Sequence, residues 1–214
     1  MKSRMDALVN EFDIALKTLS FTKPGTNRET PGKEFKDTLN QKDTKLAQRL
    51  MRVNLAGEVA AQALYRGQAT ASKDPAIKQH LIQAGEEETD HLLWCKERLD
   101  ELDGRPSIFN SFWYLGSFTL GYAVGKFGEK TSLGFVEETE KQVVKHLNSH
   151  IDQISLTDNK THAILKAMRE DEDDHGQAAK AAGADDLKEP TKKLMQLSAK
   201  VMTCLLYTSP SPRD

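Results

Sequence analysis

Residues 86–91 read EEETDH, and a similar stretch, EDEDDH, recurs at residues 170–175. Each contains a glutamate three residues before a histidine, namely Glu88 with His91 and Glu172 with His175. On a helix, residues three apart differ in direction by about 60°, so both side chains of a pair can reach one metal ion. The two matches by themselves would be weak evidence, because short motifs also recur by chance.

Two further glutamates extend this pattern into a repeat. Glu58 lies 30 residues before Glu88, and Glu140 lies 32 residues before Glu172. The chain therefore contains, twice, a helix with Glu followed by a helix with Glu-x-x-His, as in ferritin-like di-iron and di-manganese carboxylate proteins. The repeat predicts a four-helix bundle in which six inward side chains hold two metal ions: Glu58, Glu88, His91, Glu140, Glu172 and His175.

The residue types suit that chemistry. Four carboxylates carry a charge of about −4, which two divalent ions cancel. Carboxylate oxygens can bridge two ions, and each imidazole adds a neutral ligand. A plainer interpretation is that the two acidic runs are solvated helix faces, and we expect most of their other acids to be solvated.

Apolar residues recur at helical spacing along the chain, and no segment alternates with the period of a strand. The fold class is therefore predicted to be all-α, a ferritin-like four-helix bundle with additional N-terminal and hydrophobic helices. We expect an N-terminal helix and loop over residues 1–40 and a ferritin-like domain that carries the six metal ligands over residues 41–203. The predicted helices cover 6–19, 44–71, 75–102, 132–154, 158–182 and 185–203, and Gly183 closes the fifth of them.

The last eleven residues, CLLYTSPSPRD, break the helical pattern. They resemble the conceptual translation of a sequencing adapter, so residues 204–214 are expected to be a non-native tail. The net charge of −2 gives no indication of nucleic-acid binding. Cys95 and Cys204 form no CxxC pair, and the N-terminus does not resemble a signal peptide, so a reducing cytoplasm is expected.

Several motifs resemble the Coq7 family of demethoxyubiquinol hydroxylases, in the family's order, over about residues 45–203. They are Asn54–Glu58, Leu64–Gln68, Glu86–Leu92, Arg105-Pro106, the Trp113 segment with its glycines, Glu137–Ile151 and Met168–His175. The resemblance implies an O2-dependent di-iron monooxygenase. It would hydroxylate the ring of 2-polyprenyl-3-methyl-6-methoxy-1,4-benzoquinol in ubiquinone biosynthesis. It also implies two iron ions (Fe2+/Fe3+) as the cofactor, held by the six residues named above.

The family also suggests where the protein works. Its members are peripheral membrane proteins, so we expect a membrane surface as a partner, with O2, the polyprenyl benzoquinol and other ubiquinone-biosynthesis proteins. The expected location is the cytoplasmic face of the bacterial inner membrane. Residues 107–125 carry no charge but are too polar for a transmembrane helix. They are either an interfacial helix that guides the substrate tail or a core helix or subunit interface.

Two further residues are candidates to act beside the metal ligands. His146 matches a histidine of the family and lies about 120° around the helix from Glu140, so it should contact ligands rather than metal. Tyr65 shares a helix face with Glu58 and could hydrogen-bond near the metals or simply pack. His80, His150 and His162 are expected at the surface, and Cys95 is expected to be a small buried hydrophobe.

The same six ligands would also serve a ferritin-like ferroxidase or iron-binding protein, or a di-manganese peroxidase or catalase. The charge-free segment and the family motifs count against the first of these alternatives. A non-enzymatic helical interaction module has no feature in its favour.

Overall fold

The structure is a computed structural model that describes residues 4–208. Within these residues it contains seven α-helices and no strand, as predicted for an all-α protein. Their bounds are α1 Arg4–Leu19, α2 Gln41–Ala71, α3 Pro75–Glu101, α4 Asn110–Lys126, α5 Glu129–Gln153, α6 Asn159–Ala181 and α7 Glu189–Thr208.

Helices α2, α3, α5 and α6 form the predicted bundle and carry all six candidate ligands. Helix α2 packs on α3, α5 packs on α6, and α3 meets α6. Leucines from all four helices fill the core below the ligands, namely Leu50, Leu55, Leu92, Leu99, Leu147 and Leu165. Burial of such a side chain stabilises the fold by about 1.5–3 kcal/mol, so the core holds the ligand-bearing helices in register.

The helix ends follow local sequence signals. The side chains of Asn40, Asp74 and Asp158 each accept backbone hydrogen bonds from the first turns of α2, α3 and α6. Such caps satisfy N–H groups that have no partner within the helix. Gly183 follows α6 with φ of +98°, a conformation that glycine adopts without steric cost. These ends agree with the predicted ones to within a few residues.

Helix α4 packs closely along α2, and two of its glycines make this possible. A Cβ on Gly121 would lie 2.2 Å from the Leu64 carbonyl oxygen, and one on Gly125 would lie 2.7 Å from the Ala71 Cβ. The opposite face of α4 is exposed, with Phe112 at 66%. The charge-free segment is therefore partly a core helix and partly an apolar surface. No helix within residues 4–208 has the length and hydropathy needed to cross a bilayer.

Helix α7 continues beyond residue 203, where the predicted helix ended, to Thr208. Leu206 is fully buried in a small cluster with Val53 and Ala56 of α2. Leu206 of the expected non-native tail therefore packs on the bundle, whereas Cys204 and Leu205 are exposed and residues 209–214 lie outside the described residues. The adapter origin of residues 204–214 stays a prediction.

The N-terminal segment is fastened to the bundle by polar contacts. The Thr18 hydroxyl donates to the Gln62 side chain over 3.1 Å, and Arg66 of α2 forms an ion pair with Glu11. The Thr26 backbone N–H donates to Asp90 of α3 over 2.8 Å. These contacts place the loop after α1 beside the ligand-bearing part of α3.

Candidate metal centre

All six predicted ligand side chains are buried and converge at the centre of the bundle. Helix α2 contributes Glu58 and α5 contributes Glu140, whereas α3 and α6 each contribute a Glu-x-x-His pair. One ligand atom each from four of them lies within 4.8 Å of the others, in the set Glu58, Glu88, His91 and Glu172. This cluster could hold a metal ion.

The His91 imidazole marks one half of the centre. Its Nδ1 lies 3.1 Å from Glu88 Oε2, 3.2 Å from Glu172 Oε1 and 3.9 Å from Glu58 Oε2. Neighbouring ligands of one ion with bonds of about 2.1 Å lie about 3 Å apart. The spacing of these donors therefore suits a single ion.

The His175 imidazole marks the other half. Its Nδ1 lies 3.2 Å from Glu88 Oε1 and 3.4 Å from Glu172 Oε2. Glu88 and Glu172 thus present one oxygen to each histidine, and the two rings lie 6.3 Å apart. Glu140 lies on this side, since a Cβ on Gly176, the neighbour of His175, would lie 3.4 Å from the Glu140 Cβ. The arrangement matches two metal positions that share two carboxylates.

Three buried polar atoms of the ligand side chains indicate whether a metal ion fits between them. Glu88 Oε1, Glu172 Oε2 and His175 Nδ1 have no hydrogen-bond partner within the described residues. Buried polar atoms without partners are costly and need an explanation. Because all three converge on one point, a cation at that point would satisfy them together. The donor set therefore fits a di-metal centre.

The pKa shifts in the cluster reflect the burial of its side chains and the interactions between their charges. Burial raises the pKa of Glu58 and Glu140 well above the usual range, and the charges of the neighbouring carboxylates add to this. For His175, burial favours the neutral ring, but the nearby carboxylates of Glu172 and Glu88 outweigh it and raise the pKa to about 12. Without metal, Glu58 and Glu140 therefore favour the protonated form, as expected for crowded buried carboxylates. For Glu88, burial is outweighed by the two histidines, which lower its pKa.

The outer nitrogens of both histidines contact acids of the opposite helix. His91 Nε2 lies 2.8 Å from Asp171 Oδ2, and His175 Nε2 lies 2.8 Å from Glu87 Oε2. Such contacts fix the ring so that the inner nitrogen faces a metal. The prediction that most of the other acids are solvated is confirmed, since Glu86, Glu170, Asp173 and Asp174 are exposed. The exceptions are Asp171 and Glu87, which are partly buried, and Asp90, which is buried. A signal was present for two of them, since Glu87 and Asp171 each directly precede a shared glutamate.

Tyr65 donates a hydrogen bond from its hydroxyl to Glu140 Oε1. This position agrees with the expectation that it lies near the metals. His146 instead has its ring 3.9 Å from that of His150, one turn further along α5. Its contact with the ligands stays a prediction. Cys95 is fully buried, as predicted, with its Sγ 3.7 Å from the Met168 sulfur.

Comparison with known proteins identifies the family to which the chain belongs. The sequence profile of the ubiquinone biosynthesis protein COQ7 matches residues 45–205, which include all six donors. The chain belongs to the COQ7 family. Its resemblance to that family over about residues 45–203 is thereby confirmed.

Curated COQ7-like relatives match nearly the whole chain. A 3-demethoxyubiquinol 3-hydroxylase of Legionella pneumophila is 48% identical over 207 residues, 96% of this chain and 97% of the relative. Proteins of the same name from a Polaromonas species and from Cupriavidus metallidurans are 47% and 43% identical, over 95% of this chain and 97% and 99% of their own lengths.

Three histidines of this COQ7-family chain were predicted at the surface, and that prediction was wrong in part. His150 is buried, with 4% of its surface exposed, and its Nδ1 lacks a hydrogen-bond partner among the described residues. His80 and His162 are half-buried. His150 lies three residues after Leu147 and four before Ile154, which are both buried in the core, so it shares their inward face.

Proposed function

We propose that this chain is a 3-demethoxyubiquinol 3-hydroxylase, a monooxygenase that acts on the ring of a polyprenyl methoxybenzoquinol in ubiquinone biosynthesis. The observation that carries the proposal is the six-donor centre with two shared carboxylates, in a chain of the COQ7 family. The curated relatives that bear this name align with almost all of the chain.

The metal is proposed to be iron, as a pair of ions. Glu58 and His91 would hold one ion, Glu140 and His175 the other, and Glu88 and Glu172 both. Carboxylate oxygens and imidazole suit Fe(II), and the pair would supply the redox chemistry that activates dioxygen. In the overall reaction, one oxygen atom enters a ring C–H bond and the other becomes water. That balance needs two electrons and two protons from a reductant, which we expect to be NADH or the quinol.

The protein's own residues prepare the site for this reaction. Tyr65 holds Glu140, while Asp171 and Glu87 hold the two imidazoles. The six donors are themselves buried away from bulk water, which strengthens the electrostatic contacts between them. Pre-set ligands of this kind lose little free energy to reorganisation during the reaction.

The substrate's polyprenyl tail dissolves in lipid, so we propose that the protein docks on a membrane surface as a peripheral protein. The candidate surface lies on the exposed faces of α1 and α4 and on the turn before α4. Its exposed residues include Leu8, Val9, Phe12, Ile108, Phe112 and Leu115. Apolar faces of this kind bind at the boundary between headgroups and acyl chains. In a bacterium, the surface would be the cytoplasmic face of the inner membrane.

Complementation tests the enzymatic proposal directly. The gene is expressed in a strain that lacks this hydroxylation, and ubiquinone and its demethoxy precursor are quantified by mass spectrometry. We expect ubiquinone to be restored by the wild type and not by Glu172→Ala. The control is Glu170→Ala, which removes an exposed acid from the same helix and should rescue fully. Precursor accumulation with the wild type, or rescue by Glu172→Ala, would contradict the assignment.

The competing functions predict different outcomes. A ferroxidase or a di-manganese peroxidase or catalase would use the same six donors, and would leave the precursor unconverted while oxidising Fe(II) or consuming peroxide. Nothing in the described residues favours either over the hydroxylase.

A further inference from the structure

The outer nitrogen of His91 belongs to a closed ring of four side chains. His91 Nε2 lies 2.8 Å from Asp171 Oδ2, and Arg28 Nη1 donates to the same oxygen over 2.6 Å. The Arg28 guanidinium also lies over the Trp94 ring, 4.8 Å from its centroid. Trp94 in turn lies 5.3 Å from the His91 ring, centroid to centroid.

Each contact in this ring restrains the next. His91 and Trp94 are three residues apart on α3 and are both buried, so their rings form a fixed wall. The guanidinium is attracted to the face of Trp94 and at the same time neutralises Asp171. Asp171 therefore has one favoured position, in which it accepts a hydrogen bond from His91 and turns Nδ1 toward the carboxylates.

Arg28 comes from outside the part of the chain that the family profile matches, which begins at residue 45. Its loop is fastened on either side of it, because Thr26 donates to Asp90 and Thr30 donates to Glu97 over 2.6 Å. At Gly25 the chain runs so close to α3 that a Cβ would lie 2.1 Å from Asp90 Oδ1. The guanidinium is thus held in place before any metal binds.

The outer nitrogen of His175, the other histidine of the centre, has different neighbours. His175 Nε2 contacts Glu87, whose other carboxylate oxygen accepts from the neutral amide of Gln83 over 3.2 Å. The Glu87 side chain is 35% exposed, compared with 22% for Asp171. Solvent therefore competes more strongly for the hydrogen bonds of Glu87. Its neighbour is the neutral Gln83 amide, whereas Asp171 has the Arg28 cation held over the Trp94 ring.

We propose that Arg28 is a positioning residue for the metal centre. Acting through Asp171, it holds the His91 imidazole ready for metal and makes the His91 position bind the first ion more tightly than the His175 position. This inference rests on the proposed metal centre. It assigns to the N-terminal loop a part in metal binding, although the loop supplies no ligand.

The test is an anaerobic titration of the metal-free full chain with Co2+, whose visible absorption reports its ligands and which needs no oxidant. We expect two equivalents to bind to the wild type in two steps. Arg28→Ala should weaken the first step by about 10-fold and shift its absorption band, since loss of a group that orients a ligand typically costs 10–100-fold. Arg28→Lys keeps the charge but loses the planar fork, and should recover part of the affinity.

Two comparisons separate positioning from a general loss of structure. Lys33→Ala removes an exposed cation of the same loop, paired with Glu29, and should leave both steps unchanged. Asp171→Asn should weaken the first step as Arg28→Ala does, and the double variant should be no weaker than the worse single variant. Additive losses, or equal weakening of both steps without a shift of the band, would overturn the inference. A wild type that binds no Co2+ would instead overturn the metal centre itself.

Discussion

Tyr65 of α2 donates a hydrogen bond to Glu140 of α5, and both side chains are buried. The contact joins the two halves of the bundle at the metal centre. Burial, followed by the charge of Glu140, raises the pKa of the Tyr65 hydroxyl well above its usual range, so the hydroxyl keeps its proton and remains a donor. Glu140 is therefore oriented before metal arrives.

Tyr65→Phe is expected to destabilise the metal-free protein by about 1–3 kcal/mol, because it leaves a buried carboxyl without its donor. The loss should be smaller in the metal-loaded protein, where an ion satisfies Glu140. Urea unfolding with and without metal measures both values. The control is Tyr114→Phe, since the buried Tyr114 hydroxyl has no partner within the described residues and its removal should be close to neutral. Equal losses in the two variants would contradict this role for Tyr65.

Glu88 faces both histidines, whereas Glu58 faces only His91. Glu88→Gln should therefore weaken the binding of both metal ions, and Glu58→Gln should mainly weaken one. Metal content after dialysis is measured by mass spectrometry. It should fall from two ions per chain toward none in Glu88→Gln and toward one in Glu58→Gln. Glu170→Gln is the matched control, with an exposed side chain on α6, and should retain two ions. A chain that keeps one ion after Glu88→Gln would show that this carboxylate is not shared.

Metal removal should lower the melting temperature, because the carboxylates then repel one another and must take up protons. One ion at about 100 times its dissociation constant adds about 2.7 kcal/mol, which is about 5–10 °C for a chain of this size. Anaerobic calorimetry with and without Fe(II) measures the shift. An unchanged melting temperature would argue against a buried metal centre.

Phe112→Glu and Leu115→Glu should each reduce binding to lipid vesicles several-fold, because a charge on this face opposes its insertion at the lipid boundary. Co-sedimentation with vesicles made of phosphatidylethanolamine and phosphatidylglycerol measures the bound fraction. Leu156→Glu is the matched control, since Leu156 is 89% exposed but lies in the turn between α5 and α6. If the control reduces binding as much as the other two, α4 is not the docking surface.

The stability of the fold should fall in acid partly through His150. Burial, followed by the charge of His146, lowers the His150 pKa to about 3. A histidine in the unfolded chain titrates near pH 6.5. The contribution of the neutral His150 ring to stability is therefore complete above that pH and is lost as the pH falls toward 3. At about pH 5 the loss is about 2 kcal/mol.

His150→Leu removes this proton-binding group. The free energy of unfolding of both proteins is measured with urea at pH 7 and at about pH 5. The value for the variant minus that for the wild type should be about 2 kcal/mol larger at about pH 5 than at pH 7. Comparing the two proteins at each pH cancels the contribution of the groups they share. A difference that does not change with pH would contradict the pKa assigned to the buried ring.

The sequence was sufficient for the features that depend on local spacing. Helical periodicity predicted the four helices of the bundle to within a few residues, and Gly183 marked the end of α6. The interval of three between Glu88 and His91, repeated in α6, indicated which side chains share a helix face. A shared helix face arises within one turn of chain, whereas Glu58 and Glu140 were inferred from the repeat at intervals of 30 and 32 residues.

Only the tertiary structure decided how those donors combine. Neither the sharing of Glu88 and Glu172 nor the support of His91 by Asp171 can be inferred from spacing along one helix, because each joins two helices. Arg28 lies 143 residues from Asp171 and is brought to it by the loop packed on α3. The sequence by itself determined which residues face inward, since that follows from helix geometry. Packing decided which atoms meet, since contact between distant residues depends on the position of whole helices.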